Sequence, residues 1–310
     1  MHSNVTKLLN KKDRCRKNTE YQITKFNFRM KTAFSFIELS IVLLVISILL
    51  AASVGSSRVI SQSKLNTART LTQSSPVNSI PGLVTWIEST SEQSFNATEQ
   101  ENGSSITNWY DLNSYSTAKN NFSQSTNKPT YKTGLINGLP VVSFDGVNDY
   151  MATGSISSSA EFSLLNTNTI FLVAKLYSGT VLFKFEQDSG NHLGSELVSG
   201  TLRFDFPNDS TGKLVGSTTV TNRPAIFTYD HSASTQTIYS NGSSYASQAN
   251  SLTFAITPFN SVISIGGDVD GDPLAKMDVG EFIIYNRSLK FEERKIIEKY
   301  LGQKWGIQIS

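Results

Sequence analysis

Cysteine is almost absent: Cys15 is the only one in 310 residues, so no disulfide can form within the chain. An exported fold would then rest on its core alone. Histidine is scarce as well, at three. His192 and His231 have neither a Ser/Asp neighbour nor metal-ligand spacing, and each reads as a loop histidine. There is no zinc motif, no phosphate-cradling glycine loop and no internal repeat. Charge is thin, and its net value of +2 hides an asymmetry. Residues 1–33 hold nine Lys or Arg against two acids, Asp13 and Glu20; the remainder holds 18 basic and 23 acidic residues, a net of −5. The basicity is local, and no nucleic-acid partner is expected.

One long apolar run stands out. Between Lys31 and Arg58 the only charged residue is Glu38, and 14 residues from Phe34 to Val54 are Ile, Leu, Val or Phe. Those residues favour insertion by about 6 kcal/mol in total, against about 3 kcal/mol for an acid at mid-membrane. At about 1.5 Å per residue the run spans roughly 30 Å, one hydrocarbon thickness. The basic flank places the N-terminus in the cytoplasm, as a single-pass topology. An acid in such a run is by default functional and needs a partner.

Ala33-Phe34-Ser35-Phe36-Ile37-Glu38-Leu39, followed by the apolar run, resembles the cleavage and methylation segment of type IV pilins and type II secretion pseudopilins. The resemblance implies that a prepilin peptidase cuts between Ala33 and Phe34, removing 1–33, and that Phe34 is N-methylated. Ala33 stands where the family usually has Gly. Glu38 holds the family's fifth position after the cut, where it would pair with the α-amine of a neighbouring subunit. Small residues Ser40, Ser47, Ala51 and Ala52 would let helices approach closely. An ordinary signal anchor is the bland alternative. The long leader either is genuine or starts at Met30. A precursor in the inner membrane, then a periplasmic or cell-surface filament, is implied, with other pilin or pseudopilin subunits as partners. Many major pilins carry a C-terminal disulfide; this chain does not.

The helical pattern continues to about Leu71, with Gly55 as a weak point. Residues 72–80, with Pro76, read as a linker. From Pro81 onward the chain turns rich in Ser, Thr, Asn and Gly. Val141–Phe144, Thr169–Ala174, Val181–Phe185, Leu202–Phe206, Ala225–Tyr229 and Val262–Ile265 read as strands, and Thr237–Ser243 as a hairpin turning at Asn241-Gly242. Many short strands predict an all-β sandwich over 81–310. Gly82-Leu-Val-Thr-Trp86, Trp109-Tyr-Asp111, Lys128-Pro-Thr-Tyr131, Asn137 to Gly146, Asn148-Asp-Tyr150, Ile265-Gly-Gly267 and Glu281 to Asn286 resemble the concanavalin A-like lectin/glucanase superfamily in its laminin-G-like form. The resemblance implies a jelly roll of two antiparallel sheets, with Trp86 and Phe144 in the core. The fold class is therefore mainly β, a long apolar N-terminal helix followed by a sandwich. A closing helix over Glu292–Leu301 has its acids early, Lys290 at the N-cap with half a capping box, Gly302 as its stop, and Trp305 packing back.

Glycosidases of this superfamily can carry Glu-x-Asp-x-Glu on one strand, which aims all three acids into a groove. The nearest match, Glu186-Gln-Asp188, lacks the second glutamate, and both acids read as rim charges after a strand. The chain is expected not to be an enzyme. Calcium is the one cofactor considered. Asp268, Asp270 and Asp272 alternate as in hard-ion loops, but Pro273 and Val279 occupy the Gly and Glu places of an EF-hand. Asp145, Asn148 and Asp149 form a second cluster, for which turn capping is the alternative reading. The function expected is a minor or tip pilin displaying a lectin-like sandwich for adhesion or glycan binding. The alternatives are a secretion pseudopilin and a membrane-anchored surface glycosidase.

Overall fold

The computed structural model describes residues 35–154, 167–188, 191–205, 212–249, 262–269 and 274–310, without the side chains of 51–58, 186–188 and 191. Ala33, Phe34, Asp270 and Asp272 lie outside the described residues. Two compact units are present, 1–53 and 54–310, and their boundary falls within the first helix.

That helix, α1, runs Phe36–Gln73. Its start is a capping box: the Ser35 hydroxyl accepts the Ile37 N–H, and the Glu38 carboxylate accepts the Ser35 N–H at 2.9 Å. Every large apolar side chain from Phe36 to Leu50 is exposed, from 46% at Ile46 to 85% at Phe36. Among the described residues, however, no helix is long and apolar enough to cross a membrane. The described apolar stretch, Phe36–Leu50, reaches roughly 22 Å, short of the roughly 30 Å hydrocarbon core. The rest of the expected span falls on side chains outside the description. Farther along, within unit 54–310, Ala68 and Thr72 are buried. Lys64 Nζ donates to the Asn137 carbonyl, and Arg69 donates to the Thr90 carbonyl and to Glu92.

Among the described residues sixteen strands follow: β1 (Leu83–Glu88), β2 (Asn108–Trp109), β3 (Phe122–Ser123), β4 (Thr130–Ile136), β5 (Leu139–Asp145), β6 (Met151–Thr153), β7 (Asn168–Ser178) and β8 (Val181–Asp188), then β9 (Asn191–Val198), β10 (Thr201–Asp205), β11 (Leu214–Val215), β12 (Pro224–His231), β13 (Thr235–Ser240), β14 (Ser243–Ala249), β15 (Val262–Ile265) and β16 (Lys276–Tyr285). They build two antiparallel sheets. The first runs β14-β13-β12-β7-β16-β5-β4, with β1 added on β16; the second runs β11-β10-β9-β8-β15-β6-β3-β2. Asn241 and Gly242 both have positive φ, as their hairpin requires, and Asn137-Gly138 and Ser199-Gly200 make the same kind of turn. Helix α2 (Phe291–Trp305) closes the chain.

Trp109, Phe122, Phe183, Phe204, Tyr229 and Phe282 fill the space between the sheets. The first sheet is also covered on its other face, where Phe171, Val173, Ile226 and Ile283 meet Ile297, Leu301 and Trp305 of α2. This double burial explains why Thr169–Ala174 reads as a continuous apolar run and not as an alternation. Trp86 and Phe144 are in the core, as expected. Helix α2 runs past Gly302 to Trp305 and ends on Gly306, which is left-handed at φ 62. Gly302 is packed, not terminal: a Cβ there would meet Ile309 at 2.7 Å. Glu293 accepts the Lys290 N–H, giving the half capping box that a lysine N-cap permits.

Candidate functional site

The outer face of the second sheet carries an unusual row of side chains. Pairing places Asn108, Ser123, Ala152, Ser264, Lys184, Gly194 and Asp205 side by side across seven strands. Their in-strand neighbours Phe122, Met151, Ile263, Phe183, Phe185, Leu193 and Phe204 point into the core, so period-two alternation turns this row outward. Four of the seven are Ser, Ala or Gly, and small side chains leave a trough on a sheet. A groove of about 420 Å³ opens there, lined by Thr107, Ser123, Gln124, Tyr150, Ala152 and Val262. It offers hydroxyls and an amide, an apolar floor from Ala152 and Val262, and one phenol.

Charged residues flank the groove on the same face. Lys184 pairs with Asp268, which is 1% exposed, and Arg203 pairs with Glu196 and, at 2.6 Å, with Asp205. Ser195 faces the other way, and its hydroxyl donates to Tyr229 at 2.9 Å.

The acids expected on the rim are placed differently. Strand β8 extends to Asp188, so Glu186 and Asp188 lie within it and not after it. Glu186 pairs with His192 and Val262; the side chains of Glu186 and Asp188 are outside the description. Neither histidine is in a loop. His192 is buried in β9, and His231 ends β12 fully buried, because both sheets continue farther than their apolar runs suggest.

Of the two acidic clusters, the first is described whole and the second only at Asp268. Asp145 Oδ1 accepts the N–H groups of Val147, Asn148 and Asp149, and Asp149 Oδ2 accepts that of Asp145. Partial burial would raise the Asp145 carboxyl, but the backbone donors together hold it below the usual range. Burial pushes Asp149 up to about 6, with the charge of Asp145 adding to it. Asp268 holds Lys184. Among the described residues no group of three or more His, Cys, Asp or Glu is placed to hold a metal ion.

A second polar cluster was missed in the sequence. Under α2, Glu281 accepts four donors: Trp86 Nε1 at 2.7 Å, Tyr300 OH at 3.0 Å, Lys304 Nζ at 2.9 Å and Trp305 Nε1 at 2.9 Å. Glu88 takes the same Lys304 ammonium at 3.1 Å and the Thr90 hydroxyl. A β-bulge between Val279 and Glu281 makes this possible. It shifts the alternation by one, so Val279 and Phe282 face the core while Glu281 faces α2. Gly280 in the bulge was the available signal.

No family model matches the chain, and no curated protein matches it. The sandwich is similar in fold to solved structures. The binding domain of Paraclostridial Mosquitocidal Protein 1 aligns at TM-score 0.52 and 14% identity, over 72% of this chain and 52% of that one. Trypanosoma rangeli sialidase in complex with sialic acid aligns at TM-score 0.52 and 16% identity, over 74% of this chain and 34% of that one. A further Trypanosoma rangeli sialidase structure aligns at TM-score 0.52 and 15% identity, again over 74% and 34%. The chain thus spans about half of the mosquitocidal chain and a third of the sialidase chains. These identities establish a shared fold only. They correct one expectation: the chain was expected not to be an enzyme, yet its sandwich occurs within sialidase chains, so its fold does not set it apart from enzymes.

Proposed function

We propose that the chain is a pilin-type subunit, minor or at the filament tip, whose sandwich binds carbohydrate. The observation that carries the assembly half is the unbroken exposure of apolar side chains over Phe36–Leu50. So large an apolar surface is covered in use by lipid or by like helices. In this reading the helix sits in the inner membrane before assembly, and prepilin peptidase cuts between Ala33 and Phe34. Glu38 then exchanges its bond to Ser35 for the methylated amine of a neighbouring subunit. Mass spectrometry of envelope material tests it. A mature N-terminus at methylated Phe34, and loss of Glu38→Ala from filaments, are expected. An intact leader with unchanged incorporation overturns it.

The binding half is supported by the groove over Ser123, Ala152 and Val262, whose mixed hydroxyl, amide, apolar and phenol lining suits the hydroxyls and C–H faces of a sugar. The fold neighbours include a sialidase in complex with sialic acid and a binding domain. A glycan array with the full chain in detergent should give hits, a subset of which Ala152→Trp, which fills the groove, removes. An array without hits overturns carbohydrate binding; hits indifferent to Ala152→Trp move it elsewhere on the sandwich.

A further inference from the structure

A second pocket shares no lining residue with that groove. It measures about 450 Å³ and is lined by Asn78, Ile80, Pro81, Leu83, Tyr115 and Asn286, with Ser79 and Gly82 completing it. Tyr115 is 74% exposed. Among the described residues its ring stacks on nothing and its hydroxyl bonds nothing.

The exposure is held in place by a buried anchor. Asp111 Oδ1 accepts the N–H groups of Trp86 and Asn113, and Oδ2 accepts that of Asn120. Asn113 in turn accepts the Tyr115 N–H at 3.0 Å and donates to the Leu83 carbonyl. Asn78 accepts the Ser114 N–H at 2.9 Å. The turn carrying Tyr115 is therefore stapled to β1 and to the segment before it. A rigid loop that presents a large apolar ring to solvent is the usual build of a binding site.

The opposite wall is equally specific. Gly82, at φ 91, lets the Asn286 amide close on the backbone; a Cβ there would reach Asn286 Oδ1 at 2.6 Å. The Asn286 N–H donates to the Gly82 carbonyl at 2.8 Å. The lining thus combines one aromatic face, an apolar floor of Ile80, Pro81 and Leu83, two side-chain amides and the Ser79 hydroxyl; the nearest charge, Arg287, donates to the Pro81 carbonyl at 2.9 Å and is paired with Glu293.

We propose that this pocket binds an uncharged pyranose ring, stacked by its C–H face on Tyr115, with its hydroxyls reaching Asn78, Ser79 and Asn286. With Arg287 already committed to Glu293 and the Pro81 carbonyl, the lining offers an ionised sugar no compensating charge. The pocket deepens the carbohydrate-binding reading, on which it rests, by adding a site separate from the sheet groove. Two sites on one head let an extended glycan bind with gain from effective concentration.

The test is saturation-transfer NMR on the full chain in detergent, with methyl pyranosides of glucose, galactose, mannose and N-acetylglucosamine as probes. Transfer to ring protons of at least one is expected, kept in Tyr115→Phe and, with the sheet groove filled by Ala152→Trp, still present and dependent on Tyr115. In Tyr115→Ala it should fall with a Kd weaker by about tenfold or more. Tyr115 is exposed, so the Ala variant keeps the fold. Transfer indifferent to Tyr115→Ala overturns this site alone. No transfer from any probe together with an empty glycan array overturns the carbohydrate reading itself.

Discussion

Lys304 sits where three elements meet, with its ammonium fully buried between Glu88 and Glu281. Two carboxylates and one ammonium carry an excess negative charge, offset by the Trp86, Trp305, Tyr300 and Thr90 donors. Removing the cation leaves both acids uncompensated. Lys304→Met should therefore cost about 3–5 kcal/mol in denaturant unfolding. Glu293 offers a test by pH. Its bidentate bond to Arg287 lowers its carboxyl to about 2. The folded value lies below the unfolded one, so the contribution is present above about 4.5 and is lost as pH falls toward 2. The pair is partly open to solvent, which reduces the effect to about 1 kcal/mol. Glu293→Gln should lower stability by that amount at pH 7 and leave it unchanged near pH 2. Residues that act locally were legible where a turn dictates them, as Asn241-Gly242 does; Glu38 was read only as a partner for a neighbouring amine, and its capping bond to Ser35 was not anticipated. Lys304 was not legible, because its partners are far away in sequence and an isolated Lys on a helix reads as surface.

Elements were recovered where their pattern is periodic and misjudged where a neighbour overrides it. Strand β8 was ended at Phe185 because the apolar residues stop there, yet β15 and β9 pair with it through Glu186. Strand β16 hides a change of face at Gly280, where a Cβ would meet the Trp305 ring at 2.5 Å. That glycine lets α2 lie on the sheet and turns Glu281 toward Lys304. Gly280→Ala should cost about 1–3 kcal/mol by overpacking, and near-ultraviolet circular dichroism should show a changed tryptophan environment. In α1 the composition of the apolar run was plain. The groove was not, since Ser123, Ala152 and Val262 come from three strands and only pairing assembles them.

At the scale of the molecule the two sheets differ. The sandwich itself was predictable from the count and composition of short strands. That α2 upholsters one sheet was foreshadowed by Trp305, expected to pack back, and by the apolar run through β7, whose residues from Asn168 to Ala174 are all buried. A scanning library of polar replacements, scored by resistance to protease, should lose nearly every position from Thr169 to Ala174. Along β3, β6 and β15 it should spare alternate positions, among them Ser123, Ala152 and Val262.

The bulge at Gly280 has a further bearing on that imbalance. By giving one sheet a covered back, it commits half of the sandwich to holding shape, while among the described residues no helix lies on the other half's outer surface. New recognition can then be written on that surface one substitution at a time, without reopening the problem of how the chain folds.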